Sequence, residues 1–234
     1  MKIWKLDCDV DHYENLVRVD NSDLNLLQSF DGRSQINNWT PLKVEPMYGC
    51  NRPFSNTPGF LPHIPVFDEN AIKVLKYFLN KNAEILPLDC NLGEFYAINV
   101  TKVIDCIDYE KSIYKTFRDG KRIMRFSKYF FNVDEISTED FFKIKDEPLK
   151  RPFVSDNFKN IVTNSSLTGF KFELVWDSEI WYFSKKWILL LSIEYAIITL
   201  GKNEEIYPSN NKTNPPLLGQ WGVLFRFGKG GLVP

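Results

Sequence analysis

The dipeptide Asp119-Gly120 lies between two segments with the composition of β-strands, SIYKTF (112–117) and RIMRFSKYFFNV (122–133). Asp-Gly is typical of tight hairpin turns, because glycine adopts positive φ angles without steric cost. A turn this short joins neighbouring antiparallel strands, whereas parallel strands need a crossover of a dozen or more residues. The sequence therefore predicts an antiparallel hairpin at this point of the chain.

The remaining segments predict further strands and one longer helix. VFDENAIKVLKYFLN (66–80) has apolar residues at helical spacing after Asp68, which can cap the first turn. ILPL (85–88) and EFYAINVTKVI (94–104) are strand-like and are separated by turn-forming residues. TGFKFELVW (168–176) alternates as a half-buried strand, with its apolar side formed by Phe170, Phe172, Leu174 and Trp176.

Two shorter helices are predicted from capping patterns. STEDFF (137–142) begins with Ser137 as a candidate N-cap and has Asp140 at the third helical position. SDNFKNIVTNSSL (155–167) begins with Ser155 and has an apolar face formed by Phe158, Ile161 and Val162. These elements together predict an α+β fold with a mainly antiparallel sheet and a few short packed helices.

The composition indicates a folded protein without a bulk charge. The chain of 234 residues is 44% hydrophobic and 15% aromatic, which is far from a disordered composition. Its 29 Lys and Arg are balanced by 30 Asp and Glu, so net charge provides no attraction to nucleic acid or to anionic lipid. We expect no direct nucleic-acid partner, although KRIMRFSKYFF (121–131) resembles a surface for single strands as much as it resembles an amphipathic hairpin strand.

The first residues and the cysteines favour a cytoplasmic protein. MKIWKLDCDV lacks the apolar region and cleavage site of a secretory signal, and the four cysteines contain no CxxC pair. We therefore expect reduced thiols. The apolar run from Ile180 to Leu200 is interrupted by Lys185, Lys186 and Glu194, so it is predicted to be buried rather than to span a membrane.

Three carboxylates alternate near the start of the chain, at Asp7, Asp9 and Asp11. Their spacing fits the first ligands of a calcium loop, but His12 and Arg18 occupy the positions of the required Gly and Glu, so no metal site is predicted. On a strand, the three carboxylates share one face and form a solvated sheet edge or a contact for a basic partner. Acidic residues at 134–140 and 173–179 compete for the second role.

The sequence contains no recognisable catalytic set and implies no cofactor. His12 and His63 are the only imidazoles, and neither lies in a nucleophile or zinc-protease motif. GKGG near the end lacks the spacing of a phosphate-binding loop. The alternative to a binding protein is a small-molecule-binding or hydrolytic enzyme that uses dispersed carboxylates, and a deep polar pocket with a perturbed acid would favour it.

From about Ile64 to Trp176 the order of segments resembles a bacterial immunity-protein family of polymorphic toxin systems. The resemblance rests on IPVFDENAIKVLKYFL, ILPL, GEFYAINVTKVIDCIDYEKS, FKI, PFVSDNFKNIV and LTGFKFELVW. It implies a small α+β protein, made beside a toxin gene, that protects the producing cell by stoichiometric binding of the toxin and is not an enzyme. A basic nuclease is one such toxin, and Asp7, Asp9 and Asp11 would then be a contact surface.

The resemblance divides the chain into four predicted regions. Residues 1–63 contain N-terminal strands and a Pro-rich wrapping segment, and residues 64–178 form the immunity-family core. Residues 179–227 are predicted to be a hydrophobic extension packed on that core. Residues 228–234 contain LVP, the beginning of a common engineered protease-cleavage sequence, so they are a candidate added tail and carry no functional argument.

Overall fold

The computed structural model describes residues 1–19, 28–49 and 51–179, which lie in one compact unit, Met1–Lys185. In these ranges the chain forms twelve mostly antiparallel strands and three short α-helices, so the prediction of an α+β fold is confirmed. The predictions for Ile180–Leu200 and for residues 228–234 lie outside the described residues.

A five-stranded sheet forms the centre of the described part, in the order β12-β1-β11-β10-β7. All neighbours pair antiparallel except β10 and β7, which are parallel. The strands are β1 (Lys2–Cys8), β7 (Val103–Ile104), β10 (Phe141–Ile144), β11 (Phe153–Ser155) and β12 (Phe170–Asp177). The N-terminal segment thus contributes an inner strand to a sheet whose other strands come from residues 103–177.

Three smaller sheets surround the central one. The three-stranded sheet has the order β4-β6-β5, and two pairs of strands form two-stranded sheets, β2-β3 and β8-β9. The strands are β2 (Leu16–Arg18), β3 (Val44–Pro46), β4 (Val66–Asp68), β5 (Ala83–Pro87), β6 (Phe95–Val100), β8 (Ile113–Thr116) and β9 (Ile123–Lys128). A short 3₁₀ helix, Ile36–Asn38, lies between β2 and β3.

The predicted hairpin is confirmed as β8-β9. Its turn contains Gly120 at a φ of 67°, in the left-handed region that glycine tolerates. Asp119 accepts backbone hydrogen bonds from Lys121 and Arg122, which closes the turn.

Two of the three predicted helix caps are confirmed. Helix α1 (Glu69–Asn82) begins after Asp68, whose carboxylate accepts a hydrogen bond from the Ala71 N–H at 2.8 Å. Helix α3 (Asp156–Thr163) begins after Ser155, whose hydroxyl accepts from the Phe158 N–H at 3.2 Å. The predicted apolar face of α3 is confirmed at Phe158 and Val162, whereas Ile161 is exposed.

The helix predicted from Ser137 is wrong. A four-residue helix, α2 (Val133–Ile136), precedes Ser137, and the two following phenylalanines lie in β10. Phe141 and Phe142 are both fully buried, on opposite faces of the central sheet. Because a strand can bury consecutive residues when both faces of its sheet are covered, tertiary burial outweighs the weak cap at Ser137.

Each face of the central sheet has its own hydrophobic core. One core contains residues of α1 and α3 packed on the sheet, including Leu75, Phe78, Phe158, Leu6 and Val154. The other is aromatic and contains Phe126, Tyr129, Phe131, Phe153 and Trp176. The sheet is therefore covered on both faces, which explains why its strands do not follow a simple buried-exposed alternation.

A β-bulge changes the predicted face of β12. Ile3 lies opposite Trp176 and Trp4 lies opposite Leu174, so Val175 is an extra residue. Trp176 consequently packs in the aromatic core, while Leu174 is 43% exposed. The prediction that Leu174 and Trp176 share a buried face with Phe170 and Phe172 is wrong for this reason.

A buried lysine joins the N-terminal segment to the central sheet. Lys143 in β10 is fully buried, and its Nζ donates to the carbonyl oxygens of Phe30 at 2.6 Å and His63 at 3.0 Å. Burial lowers the pKa of Lys143 to about 8. A third apolar cluster joins residues of the N-terminal segment, such as Phe30, to residues of β5 and β6, such as Leu86 and Ala97.

Candidate partner-binding surfaces

The three predicted acidic residues lie together at the end of β1. Asp7 is in the strand, and Asp9 and Asp11 follow in the turn after Cys8. Because β1 pairs with β11 on one side and β12 on the other, it is an inner strand, and the prediction of a free sheet edge is wrong. Asp7, Asp9 and Asp11 are called the acidic cluster below.

Cations of this chain pair with every carboxylate of the acidic cluster. Arg151 Nη2 lies 3.0 Å from Asp7 Oδ2. Lys171 Nζ lies 2.9 Å from Asp9 Oδ1 and 3.3 Å from Asp11 Oδ2. The hydrogen bond from Lys171, with a smaller contribution from His12, lowers the pKa of Asp9 to about 2. The acidic cluster is therefore an internal network of ion pairs as well as an exposed surface.

The hairpin β8-β9 forms a surface of the opposite charge. Nearly all residues of 113–128 are exposed, and six of them are basic against one acidic residue, Asp119. The segment 113–128 is called the basic hairpin below. Its basic residues are Lys115, Arg118, Lys121, Arg122, Arg125 and Lys128.

The basic hairpin is fixed to the body of the protein through aromatic contacts at its base. Phe126 is 8% exposed, and its ring centroid lies 5.7 Å from that of Tyr114 and 4.9 Å from that of Tyr129. Tyr129 donates a hydrogen bond to Glu147 at 2.7 Å and accepts one from Lys5 Nζ at 2.6 Å. The base of the hairpin is thus held by the aromatic core, and the residues of its turn are exposed.

The sequence patterns alone did not select the basic hairpin as a candidate surface. The composition of KRIMRFSKYFF fitted either a nucleic-acid surface or an ordinary amphipathic strand. The charge balance of the whole hairpin is the signal that could have separated these readings, because a solvated strand usually mixes both signs.

Some of the carboxylates in the walls of the two larger cavities already have ion-pair partners. A cavity of about 400 Å³ is lined by Asp7, which pairs with Arg151. Another, of about 540 Å³, is lined by Asp108, which pairs with Lys111, and by two further carboxylates, Asp134 and Glu179. Ion-paired carboxylates are poorly suited to act as free general acids or bases.

A general acid working near neutral pH needs a raised pKa. Within the described ranges, every Asp or Glu whose pKa departs clearly from its ordinary value has a lowered pKa. These residues are Asp9, Asp31, Glu84, Asp108 and Asp119. The enzyme alternative therefore has no specific carboxylate assigned to it in this part of the chain.

The described residues provide neither a cluster of metal ligands nor a helix that could span a membrane. In the ranges 1–19, 28–49 and 51–179, no three His, Cys, Asp or Glu side chains converge as a metal site. Among the helices of these ranges, none has the length and apolarity needed to cross a bilayer. Cys8, Cys90 and Cys106 are free thiols, and burial raises the pKa of Cys8 to about 11.

Residues 89–177 match the model of the immunity protein family Imm11. The match covers less than half of the chain and includes the basic hairpin, β10, β11, α3 and β12. It confirms the resemblance to an immunity protein family over these residues. Helix α1 and the acidic cluster lie before the match begins. No curated protein matches the chain.

Proposed function

We propose that this chain is a cytoplasmic immunity protein that neutralises a cognate bacterial toxin by stoichiometric binding, without enzymatic activity and without a cofactor. The observation that supports the proposal is the match of residues 89–177 to the immunity protein family. The covered central sheet supports it physically, because a rigid body lets surface elements bind without a large ordering cost.

The acidic cluster is the contact surface proposed from the sequence, and it would meet a basic patch on the toxin. A toxin cation would have to compete with Lys171 for Asp9 and Asp11, and with Arg151 for Asp7. Exchange of one ion pair for another contributes little affinity, although complementary charge still speeds encounter. We therefore expect the acidic cluster to contribute a modest part of toxin capture.

Co-expression tests the proposal directly. The product of the neighbouring gene is expressed in a sensitive host with and without this chain, and survival is scored before the two proteins are co-purified. Rescue with a stable complex is the expected result. A folded chain that neither rescues nor co-purifies would overturn the proposal.

A titration separates binding from catalysis. A fixed amount of purified toxin is mixed with increasing amounts of this protein, and residual toxin activity is measured after short and long incubation. A stoichiometric inhibitor gives a break near molar equivalence that does not move with time. An enzyme that destroys the toxin or its product protects at a small molar fraction, and the protected fraction grows with incubation.

A further inference from the structure

The sign of the charge on the basic hairpin distinguishes it from the rest of the molecule. The whole chain has a formal net charge of -1, although residues 113–128 contain six basic residues and one acidic residue. A local excess of one sign on a projecting element creates a field that attracts oppositely charged surfaces. The rest of the chain is correspondingly acidic, so the hairpin is a localised positive surface.

Most of this charge is not used inside the protein. Arg122 pairs with Asp119, and Lys128 lies 4.9 Å from the Phe130 ring centroid. The other four cations make no ion pair with any residue of the described ranges, in contrast to the cations around the acidic cluster. These four are Lys115, Arg118, Lys121 and Arg125.

Two of the four cations face each other across the hairpin. Lys115 in β8 lies directly opposite Arg125 in β9. Like charges at directly opposed positions destabilise a strand pair, so this arrangement weakens an element that already has few buried residues. Residues that lower the stability of a fold are concentrated at functional sites. Here a carboxylate of a second molecule, placed between Lys115 and Arg125, would relieve their repulsion.

The hairpin also exposes apolar side chains among its cations. Ile113 is 59% exposed, Phe117 is 45% exposed and Met124 is 41% exposed. The Arg122 guanidinium lies 5.1 Å from the Phe117 ring centroid. Aromatic residues, Met and Arg are enriched in protein interfaces, and Arg is also enriched among the residues whose truncation costs most binding energy.

These observations favour a protein over a nucleic acid as the partner. Nucleic-acid affinity depends mainly on the number of phosphates neutralised, and the acidic remainder of this chain opposes it. Exposed Ile113 and Met124 add nothing to phosphate binding but can be buried against a protein. An acidic protein surface with an apolar centre satisfies both components of the hairpin.

We infer that the basic hairpin is the arm by which this chain docks its toxin, and that it fits an acidic surface of that toxin. The inference rests on the proposed immunity function and extends it by naming the surface and the charge of its partner. The hairpin lies within the residues that match the immunity family. Its base at Phe126 is buried, so the arm is presented from a fixed position.

A pair of matched variants tests the inference. In the hairpin variant, Lys115, Arg118, Lys121 and Arg125 are replaced by Gln. In the control variant, four exposed lysines outside the hairpin, Lys43, Lys76, Lys81 and Lys150, are replaced by Gln. Both variants lose four positive charges, so a difference between them reports the location of the charge and not its amount.

The association rate constant with the purified toxin is measured by stopped flow at low and at physiological salt. We expect the hairpin variant to associate at least about tenfold more slowly and with a weaker salt dependence, and the control variant to change by less than about twofold. Circular dichroism and thermal unfolding verify that each variant is folded.

A second variant tests the hairpin without changing its charge and without altering a buried residue. Phe117→Ala changes no charge and removes an exposed ring and its contact with Arg122, and we expect it to raise the dissociation rate of the toxin complex. Wild-type association by the hairpin variant, with the complex still formed, would overturn the inference and leave the immunity function intact. If wild-type protein forms no complex, the proposed function itself fails.

Nucleic acid is the remaining outcome. Binding of wild-type protein to a labelled single-stranded oligonucleotide, lost in the hairpin variant while toxin binding is unchanged, would show that the hairpin serves a different partner and would overturn the inference.

Discussion

The acidic cluster and the basic hairpin differ in charge and in how that charge is held. Lys171 and Arg151 lie within ion-pair distance of the acidic cluster, whereas Lys115 and Arg125 in the hairpin face each other. A charge that forms an ion pair within the protein contributes to its structure and must give up that partner before it binds another molecule. An exposed charge without an ion-pair partner can bind a second molecule directly. The two surfaces therefore differ in whether the fold provides partners for a run of like charge, and this difference is the basis for proposing the hairpin as the docking surface.

The largest expected effect concerns the attachment of the basic hairpin. Phe126→Ala removes the buried ring at its base, and we expect the free energy of unfolding to fall by about 3 kcal/mol, as for other buried phenylalanines. Phe117→Ala near the turn should change it by less than about 0.5 kcal/mol. Urea unfolding measures both. Equal losses would show that the hairpin is not anchored at Phe126.

The next prediction addresses the acidic cluster. Replacement of Asp7, Asp9 and Asp11 by Asn should lower the free energy of unfolding by about 1 kcal/mol or less, because the lost ion pairs are partly exposed. It should slow toxin association by about two- to threefold, much less than the loss of the hairpin cations. Unchanged association kinetics would remove the cluster from the interface and leave it a purely structural network.

A single charge reversal should separate stability from binding in the hairpin. Lys115→Glu places a carboxylate opposite Arg125, and we expect the free energy of unfolding to rise by about 0.5 kcal/mol while toxin association slows. Lys115→Gln, which removes the repulsion without adding attraction, should lie between this variant and wild type. A gain that persists undiminished in high salt would contradict an electrostatic cause.

The smallest expected effect is a pH dependence. Because the folded pKa of Asp9 is lowered from 3.8 to about 2, its ion pair stabilises the fold above pH 3.8 and this contribution disappears as the pH falls through about 2. Unfolding of wild type and of Asp9→Asn is compared across this range. The stability difference should shrink towards acid pH, and a constant difference would show that Lys171 does not pair with Asp9.

Local patterns predicted the elements whose signals lie within a few residues. Asp119-Gly120 produced the hairpin, and Asp68 and Ser155 capped their helices, because each turn or cap is closed by hydrogen bonds to adjacent backbone. Ser137 had the same kind of local signal but failed. Burial of Phe141 and Phe142 on two covered faces of the sheet outweighed a cap of about 1 kcal/mol.

The ion pairs that distinguish the candidate surfaces join residues that are far apart in the sequence. The sequence alone therefore could not decide which surface has unpaired charge. The partners of Asp7, Asp9 and Asp11 come from residues 151 and 171, which are brought near by the pairing of β1 with β11 and β12. The sequence around residue 7 does not predict these partners. That Lys115, Arg118, Lys121 and Arg125 have no ion-pair partner among the described residues is equally a property of the packed chain.

The sequence by itself determined the fold class, the hairpin and two helix starts, since these follow from short-range sterics and hydrogen bonds. Only the tertiary structure decided that β1 is an inner strand and that cations of this chain pair with the acidic cluster. It also decided that four cations of the basic hairpin have no ion-pair partner among the described residues. The physical reason is that an ion pair depends on distance in space, and for this protein that distance is set by strand pairing between residues more than 140 positions apart.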